Sequence, residues 1–390
     1  MRLKAKAMRK QLALAVNPGS SSLKFALYHS SRPGLPAIIS GSFTDLDVGQ
    51  PKLHLQVVDR DISHDFSDDT SPPGDDIECL DWLIRLLKAK ALFAYLDVVL
   101  IRAVHCGKHT SPLVPLYANL LENLEYLSAA IPLHVPAFLR VARSILQRIP
   151  HAAVFGCPDT AFHKTIPVFR QWYAIDPEFH AMGFRRFGFH GLSFGYVADT
   201  LADRLKHKKA VIGHLGSGSS ICALDDGRSV NTTMGYSPLS GLPGATRSGD
   251  IDPILVLSWA SQLQNQGLSP DDICLMLYQS AGLQALAGEE LSVEAMFSSR
   301  SPRCELAYRY YLEQVLQSIG AQALLLGGID LVVLTGAIAR SARLQHDIRE
   351  KLILSGLLDR STSDVVENFI VCETDESKRM MDIFHQYWRN

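Results

Sequence analysis

Two short runs of apolar residues, each partly alternating with other residues, open the chain and enclose a turn. The first run lies in residues 12–16, the second in residues 23–27, and the residues between them read NPGSSS. A period of two is typical of β-strands, whereas Pro, Gly and Ser are typical of turns. The pattern therefore predicts a β-hairpin over residues 12–28.

A second segment repeats this pattern in the other half of the chain. Apolar runs at 210–212 and 221–224 enclose the sequence HLGSGSS at residues 214–220. Two such hairpins predict a duplicated domain. Backbone N–H groups and serine hydroxyls in these turns can surround phosphoryl oxygens, so we expect a phosphate chain in a cleft between the copies. Ordinary turn chemistry explains the first segment equally well.

The rest of the chain alternates between predicted strands and helices. Strands are predicted within 40–61 and at 98–104, 152–155 and 330–334, and helices at 78–92, 117–128, 137–147, from about 340, and at 376–387. Strands followed by alternating helices, twice over, predict two α/β domains with mixed sheets and a boundary near Pro158. The last helix is amphipathic and could return to the first domain.

Composition narrows the class of function. The chain has 390 residues, enough for two domains, and its 47% apolar and 20% charged residues are typical of a globular protein. The formal net charge of -2 argues against a nucleic-acid partner. The longest apolar stretch, residues 324–339, is interrupted by glycines and an aspartate, so no membrane span is expected. A small-molecule function is therefore favoured.

The cysteines and the start of the chain indicate the compartment. Seven scattered cysteines without a CxxC pair are typical of reduced thiols and not of a disulfide framework or a zinc site. The basic start is followed by an apolar stretch of only residues 12–16, which is too short for a signal peptide. We therefore expect a cytoplasmic protein.

Three residues are candidates for chemistry, and each has a structural alternative. Arg102 ends a predicted buried strand, where ligand sites cluster in open α/β sheets, although an exposed strand-end arginine fits equally. Asp159 could position a nucleophile or metal, or cap a helix. His190 lies among glycines and aromatic residues and could be catalytic or a satisfied structural histidine.

Two glycine-containing segments are further candidates. Residues 244–253 read GATRSGDIDP, and an arginine with two carboxylates among Gly and Ser favours function over a surface loop with salt bridges. Residues 334–339 predict a strand, a glycine turn and a helix, which can receive a phosphate or nucleotide. A close helix–strand contact explains that glycine equally well.

Together these motifs resemble the acetate kinase family of short-chain carboxylate kinases over residues 12–387. The family's NxGSSSxK opening stands at 17–24, its DTAFH at 159–163 and its TRSGDIDP at 246–253. Its RVVHGG, PLHNP, GFHG and HLGNG motifs resemble residues 102–107, 132–136, 188–191 and 214–218. So many ordered motifs leave little room for chance.

The resemblance implies a fold and an activity. The fold is α/β, with two ribonuclease-H-like domains of the sugar kinase, heat-shock ATPase and actin superfamily around a central cleft. The N-terminal domain would span residues 1–158, joined by the C-terminal helix 377–390, and the nucleotide-binding domain would span 159–376. The reaction would be ATP plus acetate giving ADP plus acetyl phosphate, in a homodimer, with Mg²⁺, or Mn²⁺ as an alternative.

The resemblance also assigns roles to residues. The catalytic residues would be Asp159, Arg102, Arg247, His190 and His134. The substrate-binding residues would be Arg102, Val104, Leu133, Phe189 and Pro238. The phosphate- and nucleotide-binding residues would be Ser20, Ser22, Lys24, His214, Gly216, Ser217, Gly218, Gly336, Ala337 and Ile338. Asn17 and Glu376 would organise the metal.

Departures from the family motifs lie mostly on the nucleotide side. The family's GGIGEN reads GAIARS at 336–341, its HLGNG has Ser217, and the glycine before Thr-Arg is Ala245. On the substrate side the differences are Cys106, Val135 and Phe194. Two alternatives therefore stay open: the same chemistry with another donor such as pyrophosphate, or a catalytically weakened paralogue that binds phosphate or acyl phosphate.

Overall fold

The computed structural model describes residues 11–19, 22–46, 52–57, 60–65 (backbone only), 73–289, 291–358 and 368–388. The chain divides into two compact units, Met1–Asp159 with Asp375–Asn390, and Thr160–Thr374. Compactness does not show that a unit folds independently, so the predicted domain boundaries stay a prediction. In the described part of the chain, no helix has the length and apolarity needed to cross a membrane.

A mixed eight-stranded sheet forms the centre of the first unit. Its strands are β1 Leu12–Pro18, β2 Leu23–His29, β3 Ile39–Thr44, β4 Lys52–Val57, β5 Arg60–Asp65, β6 Leu96–Ala103, β7 Val114–Pro115 and β8 Ala153–Pro158. Their order is β5-β4-β3-β2-β1-β6-β8-β7. β1 and β2 pair antiparallel, which confirms the predicted hairpin, whereas β1, β6 and β8 are parallel neighbours.

The parallel strands β1, β6 and β8 lie side by side in this sheet and are mostly buried. All seven residues of β1 are buried, as expected for a strand covered on both faces. The helices of the unit are α1 Asp76–Ala89, α2 Ala118–Asn123, α3 Val135–Arg148 and the C-terminal helix Glu376–Trp388, with 3-10 helices at Phe93–Tyr95 and Glu125–Ser128. The predicted helix at 117–128 is thus divided into α2 and a 3-10 turn.

Local sequence explains where α1 begins and ends. The Asp75 carboxylate caps it by accepting hydrogen bonds from the backbone of Ile77 and Glu78. Its buried face carries Leu80, Leu83 and Leu87, the predicted helical spacing. The predicted end at 92 is wrong by three residues, because Ala91 has a positive φ of 54° that the helix cannot continue through.

The C-terminal helix packs on the first unit. It lies against β1, β6 and β2. Phe384 and Trp388 contact Phe155 of β8, with ring centroids 6.3 and 4.8 Å apart. Through this packing the end of the chain returns to the sheet formed by its beginning.

The second unit contains a five-stranded sheet with the same topology as the central part of the first. Its strands are β9 Lys209–Leu215, β10 Ser219–Asp225, β11 Arg228–Thr232, β12 Leu331–Thr335 and β13 Phe369–Val371, in the order β11-β10-β9-β12-β13. β9, β10 and β11 pair antiparallel, and β12 and β13 are parallel to β9. The segment β3-β2-β1-β6-β8 has this order and these directions, which supports the predicted duplication.

The second unit contains ten α-helices within the described residues. They are α4 Val168–Gln171, α5 Pro177–Ala181, α6 Gly191–Thr200, α7 Ala202–Leu205, α8 Pro253–Gln264, α9 Pro270–Gln279, α10 Gly282–Ala287, α11 Val293–Ser298, α12 Pro302–Leu326 and α13 Ala342–Leu354, with 3-10 helices at Asp159–Thr165 and Ile338–Arg340. The long helix α12 was not predicted from the sequence. It begins with Pro302 and ends before Gly327, and its buried residues include Tyr308, Tyr311 and Val315.

Candidate active site

Three predicted site residues of the first unit lie at one edge of its sheet. Asn17 is near the carboxyl end of β1, Arg102 is near that of β6, and Asp159 directly follows β8. Because these strands are parallel neighbours, their carboxyl ends meet at the same edge. Glu376, the first residue of the C-terminal helix, reaches the same place. We call these four residues the carboxylate cluster.

Arg102 lies at the centre of the carboxylate cluster. Its Nε and Nη2 donate to Asp159 Oδ2 over 3.1 and 2.8 Å. Its Nη1 donates to Asn17 Oδ1 over 3.3 Å and lies 3.3 Å from Glu376 Oε2. Asn17 Nδ2 in turn donates to Glu376 Oε2 over 2.6 Å. One guanidinium group therefore holds two carboxylates and an amide in a fixed arrangement.

The cluster is charged although it is largely removed from water. The side chain of Asp159 is 1% exposed and that of Arg102 is 19% exposed. Burial alone would lower the pKa of Arg102, but the charges of Asp159 and Glu376 and the hydrogen bond to Asp159 raise it above its ordinary value. Arg102 therefore stays protonated, and one cation faces two carboxylates.

The oxygen atoms of the cluster suit a divalent metal ion. Carboxylate and amide oxygens are the hard ligands that Mg²⁺ prefers, usually one or two carboxylates with waters and phosphate oxygens. No group of three or more His, Cys, Asp or Glu side chains within the described ranges forms a complete metal cage. Two carboxylates and the Asn17 amide fit a metal that also binds a phosphate ligand.

The first hairpin turn lies beside this cluster. The Gly19 N–H donates to the Ser22 carbonyl oxygen over 2.7 Å and closes the turn. Lys24 pairs with Asn17 across the two strands, and its side chain is exposed. Ser22 is half-buried, and the predicted phosphate-binding residue Ser20 lies outside the described residues.

The predicted acyl-pocket residues fall in both units. Val104 follows β6 two residues after Arg102 and is buried, and Leu133 and His134 lie half-buried where the chain enters α3. Phe189 and Pro238 belong to the second unit, where both are buried. Val104 therefore lies close to Arg102, two residues further along the chain. The acyl pocket as a whole stays a prediction.

Two stacked histidines, His190 and His214, lie in the second unit. The rings of His190 and His214 are 4.2 Å apart and inclined by 28°. His190 Nδ1 lies 2.8 Å from Ser220 Oγ, and His214 Nδ1 lies 2.8 Å from Ser193 Oγ. Ser193 and Ser220 were not predicted as site residues. The sequence feature that could have indicated Ser193 is its position three residues, about one helical turn, after His190.

Gly218 allows Arg247 and His190 to approach the same point. A Cβ atom at Gly218 would lie 2.7 Å from Arg247 Nη1 and 3.5 Å from His190 Nε2. The glycine in the second hairpin turn therefore leaves room for a guanidinium group and an imidazole nitrogen together. This convergence suits an anionic oxygen as ligand.

The segment 244–253 presents Arg247 by means of its neighbours. The Gly244 N–H donates to the Arg247 carbonyl oxygen over 3.0 Å. The Asp250 carboxylate accepts from the Gly241 N–H over 2.8 Å, and the Asp252 carboxylate caps α8. Both acids therefore support the backbone, while the arginine supplies the cation.

The predicted nucleotide loop has a tight backbone contact. Gly336 has a φ of 93°, and a Cβ atom there would lie 2.4 Å from the Leu215 carbonyl oxygen, so close packing explains this glycine. The side chain of Ala337 is exposed, whereas Ile338 and Ala339 are buried in the core. Ile338 can therefore offer a ligand only its backbone. In the adjoining turn, the Gly216 N–H donates to the Gly218 carbonyl oxygen. The Ser217 carbonyl oxygen accepts a hydrogen bond from the Ala245 N–H.

His163, the last residue of DTAFH, has a structural role. Its Nε2 lies 2.9 Å from the Phe189 carbonyl oxygen, which can only accept, so Nε2 carries the proton. Its Nδ1 then accepts from Ser229 Oγ over 2.8 Å. Burial lowers the pKa of His163 to about 4, so the ring stays neutral and supports the residue preceding His190.

We expect His163 to make the protein sensitive to acid. The folded state binds the proton only near pH 4, whereas the unfolded chain binds it below about 6.5. The free energy of unfolding should therefore fall by roughly 3 kcal/mol as the pH drops between these values, since one pKa unit corresponds to about 1.4 kcal/mol. Denaturant unfolding of the wild type and of His163→Gln measures it. An equal decrease in both proteins would refute this role of His163.

Comparisons with known proteins identify similar sequences and structures. The acetokinase family model matches residues 12–384. An acetate kinase from Nitrobacter hamburgensis is 34% identical over 353 residues, covering 88% of this chain and 85% of that protein. A propionate kinase from Citrobacter rodentium is 33% identical over 359 residues, covering 88% and 86%. The crystal structure of a propionate kinase from Francisella tularensis has a TM-score of 0.81 at 27% identity, covering 96% of this chain and 98% of that one.

Proposed function

Because this chain belongs to the acetokinase family and is a carboxylate kinase, we propose that it transfers the terminal phosphoryl group of ATP to acetate. The family match confirms the predicted resemblance, and the structural similarity confirms the predicted fold class. The single observation that carries the proposal is the Arg102 guanidinium held between two carboxylates at the carboxyl edge of the first sheet. The products would be acetyl phosphate and ADP.

The proposed reaction needs positioning more than proton transfer. A carboxylate oxygen forms a bond to the terminal phosphorus, and the bond from that phosphorus to the bridging oxygen breaks in line. The acceptor carboxylate is already ionised, so no general base is required. The main requirement is to stabilise the negative charge on the phosphoryl oxygens in the transition state. Arg102 and Arg247 would bind the carboxylate and phosphoryl oxygens, because a planar guanidinium group suits both. His190 and His134 would donate hydrogen bonds to the phosphoryl group.

The carboxylate cluster would organise the metal ion. We propose Mg²⁺, with Mn²⁺ as an alternative, held by Glu376 and Asn17 with Asp159 nearby. A bound divalent ion would supply charge neutralisation on the phosphate oxygens. Arg102 would hold the two carboxylates in place.

The phosphate chain and nucleotide would contact turns and backbone. In the first unit we assign Ser20, Ser22 and Lys24 to phosphate binding. In the second unit we assign His214, Gly216, Ser217, Gly218, Gly336, Ala337 and Ile338 to phosphate and nucleotide binding. Because the side chain of Ile338 is buried, Ile338 would contact the nucleotide only through its main-chain atoms.

One assay separates the proposed function from its alternatives. Formation of acetyl phosphate from acetate is measured with Mg²⁺ and either ATP or pyrophosphate. We expect activity with ATP. Activity with pyrophosphate alone would identify the other donor. Arg340, which stands where the family has an acid and forms an ion pair with Glu373, favours either alternative. No product with either donor would indicate a binding paralogue.

We further propose a cytoplasmic homodimer without nucleic-acid or membrane partners. All seven cysteines are free, as expected of reduced thiols. The second unit exposes large apolar side chains, including Phe169, Trp172, Ile254 and Leu257, which is typical of a surface that another protein covers. Light scattering after size-exclusion chromatography measures the mass, and a monomer at micromolar concentration would contradict the dimer.

Val104 is expected to favour acetate over longer acids. It is buried two residues after Arg102, and a valine fills space that a longer acyl chain needs. Val104→Ala should therefore raise the activity with propionate relative to acetate by about tenfold, because one methylene is worth ~1 to 3 kcal/mol of discrimination. Rates with acetate, propionate and butyrate measure this, and a wild-type preference for butyrate would show that Val104 does not limit the pocket.

A further inference from the structure

The stacked histidines are each held by a buried serine. Ser220 and Ser193 are both fully buried, and each hydroxyl lies 2.8 Å from the Nδ1 atom of one ring. A serine hydroxyl can donate or accept, and a neutral imidazole carries its proton on one nitrogen only. The direction of each hydrogen bond therefore determines which ring nitrogen is a donor.

The surroundings of His190 indicate the direction of its hydrogen bond. His190 is 8% exposed, and its Nε2 approaches the same point as the Arg247 guanidinium group. Burial and a neighbouring cation both disfavour a second positive charge on the ring. A neutral His190 can donate to a phosphoryl oxygen from Nε2 only if Nδ1 is an acceptor, and Ser220 must then be the donor.

We propose that Ser220 is a positioning residue that keeps the proton of His190 on Nε2 and holds this N–H toward the reacting phosphoryl group. This inference rests on the proposed catalytic role of His190. The left-handed backbone of His190, with a φ of 57°, sets the direction of the side chain at the start of α6, and the hydrogen bond to Ser220 sets the rotation of the ring. Without the hydroxyl, the ring could turn and present a lone pair to the phosphoryl oxygens.

Ser193 has the corresponding effect on the neighbouring ring. It holds His214, whose ring stacks on that of His190 at 4.2 Å. Rotation of His190 about its side-chain bonds is therefore limited on one side by a ring that is itself fixed. Loss of Ser193 should loosen this support, with a smaller effect on His190 than loss of Ser220.

The chain contains a matched control for this experiment. Ser229 is a fully buried serine whose hydroxyl also lies 2.8 Å from a histidine Nδ1, that of His163. That histidine is fixed by a backbone carbonyl and has a structural role. Ser229→Ala removes the same chemical group from the same kind of pair, outside the proposed catalytic residues.

Kinetics and NMR together test the role of Ser220. We expect Ser220→Ala to lower kcat by about tenfold, the typical effect of one lost hydrogen bond, with less than about a twofold change in the KM for ATP. Ser220→Thr, which keeps the hydroxyl, should recover most of the rate. Ser229→Ala should keep the wild-type kcat. An equal loss of kcat in Ser229→Ala and Ser220→Ala, or full activity in Ser220→Ala, would overturn the proposal.

The position of the proton is measured without turnover. In protein labelled with ¹⁵N at histidine, the signals of His190 are assigned with His190→Gln. We expect the wild type to carry the proton on Nε2, and Ser220→Ala to change the Nδ1 signal of His190. A proton on Nδ1 in the wild type would overturn the proposal. Full activity of His190→Gln would instead disprove the catalytic role of His190, and the proton position would still be known.

Discussion

Replacing Arg247 with alanine is expected to lower kcat by ~10²-fold or more while the protein remains folded. Its Nη1 approaches the point that His190 Nε2 also approaches, above the Gly218 backbone. A cation at this point binds phosphoryl oxygens more strongly as their charge is redistributed in the transition state, and loss of one such preorganised donor has an effect of this size. Arg247 is only partly buried and lies over the ring of Tyr278, so its loss should perturb the fold little.

A second arginine on a tyrosine ring provides the control for Arg247. Arg343 lies over the ring of Tyr308 at 3.6 Å, on helices outside the proposed site. Arg343→Ala should keep the wild-type kcat. The measurement is the steady-state rate of acetyl phosphate formation, with circular dichroism to verify folding. A folded Arg247→Ala protein with a near wild-type rate would show that this arginine does not contact the transition state.

Arg102→Ala is expected to abolish most activity and also to destabilise the fold. It removes the contact proposed for the carboxylate and phosphoryl oxygens, which again predicts a loss of ~10²-fold or more. It also leaves the carboxylate of Asp159, 1% exposed, without its two hydrogen bonds from Arg102. Removing one partner of a buried ion pair typically destabilises a protein by about 3–5 kcal/mol. The sequence alone does not indicate this effect on folding, because it does not reveal the partners of Arg102.

A double variant separates the two effects of Arg102. In Arg102→Ala with Asp159→Asn the buried charge is gone while the shape is nearly kept. We expect most of the lost free energy of unfolding to return, and kcat to stay as low as in Arg102→Ala. Chemical denaturation and steady-state kinetics of the four proteins in this cycle measure both. If the double variant were as unstable as Arg102→Ala, the buried charge of Asp159 would not be the cause.

Local patterns were sufficient to predict most strands and both hairpins. Strands β1, β2, β9 and β10 follow from apolar runs on both sides of glycine- and serine-rich turns, because the pairing partners are adjacent in the chain. Helix α1 and the C-terminal helix follow from apolar residues at helical spacing. The repeated order of the motifs was sufficient to indicate the family, and the family model confirms it.

Other elements depend on contacts that a local pattern does not contain. Helix α12 was missed although its buried residues recur at helical spacing, because its exposed face also carries apolar residues, including Leu306, Leu324 and Leu325. At residue 339 this chain has an alanine where the family motif has a glycine. The structure offers an explanation, because Ala339 is fully buried in the core of the second unit. Arg102, Asp159 and Glu376 were each predicted as candidates, but their direct contacts were not.

The residue types of the candidate site are therefore a property of the sequence, whereas their partners are a property of the tertiary structure. Arg102 and Asp159 are 57 positions apart, and Asn17 and Glu376 are 359 positions apart. They meet because β1, β6 and β8 are parallel neighbours and because the C-terminal helix packs on them. Ser220 and Ser193 were not predicted for the same reason, because their imidazole partners are distant in the sequence. Each hydroxyl acquires its role only when the tertiary structure brings that imidazole within hydrogen-bond distance.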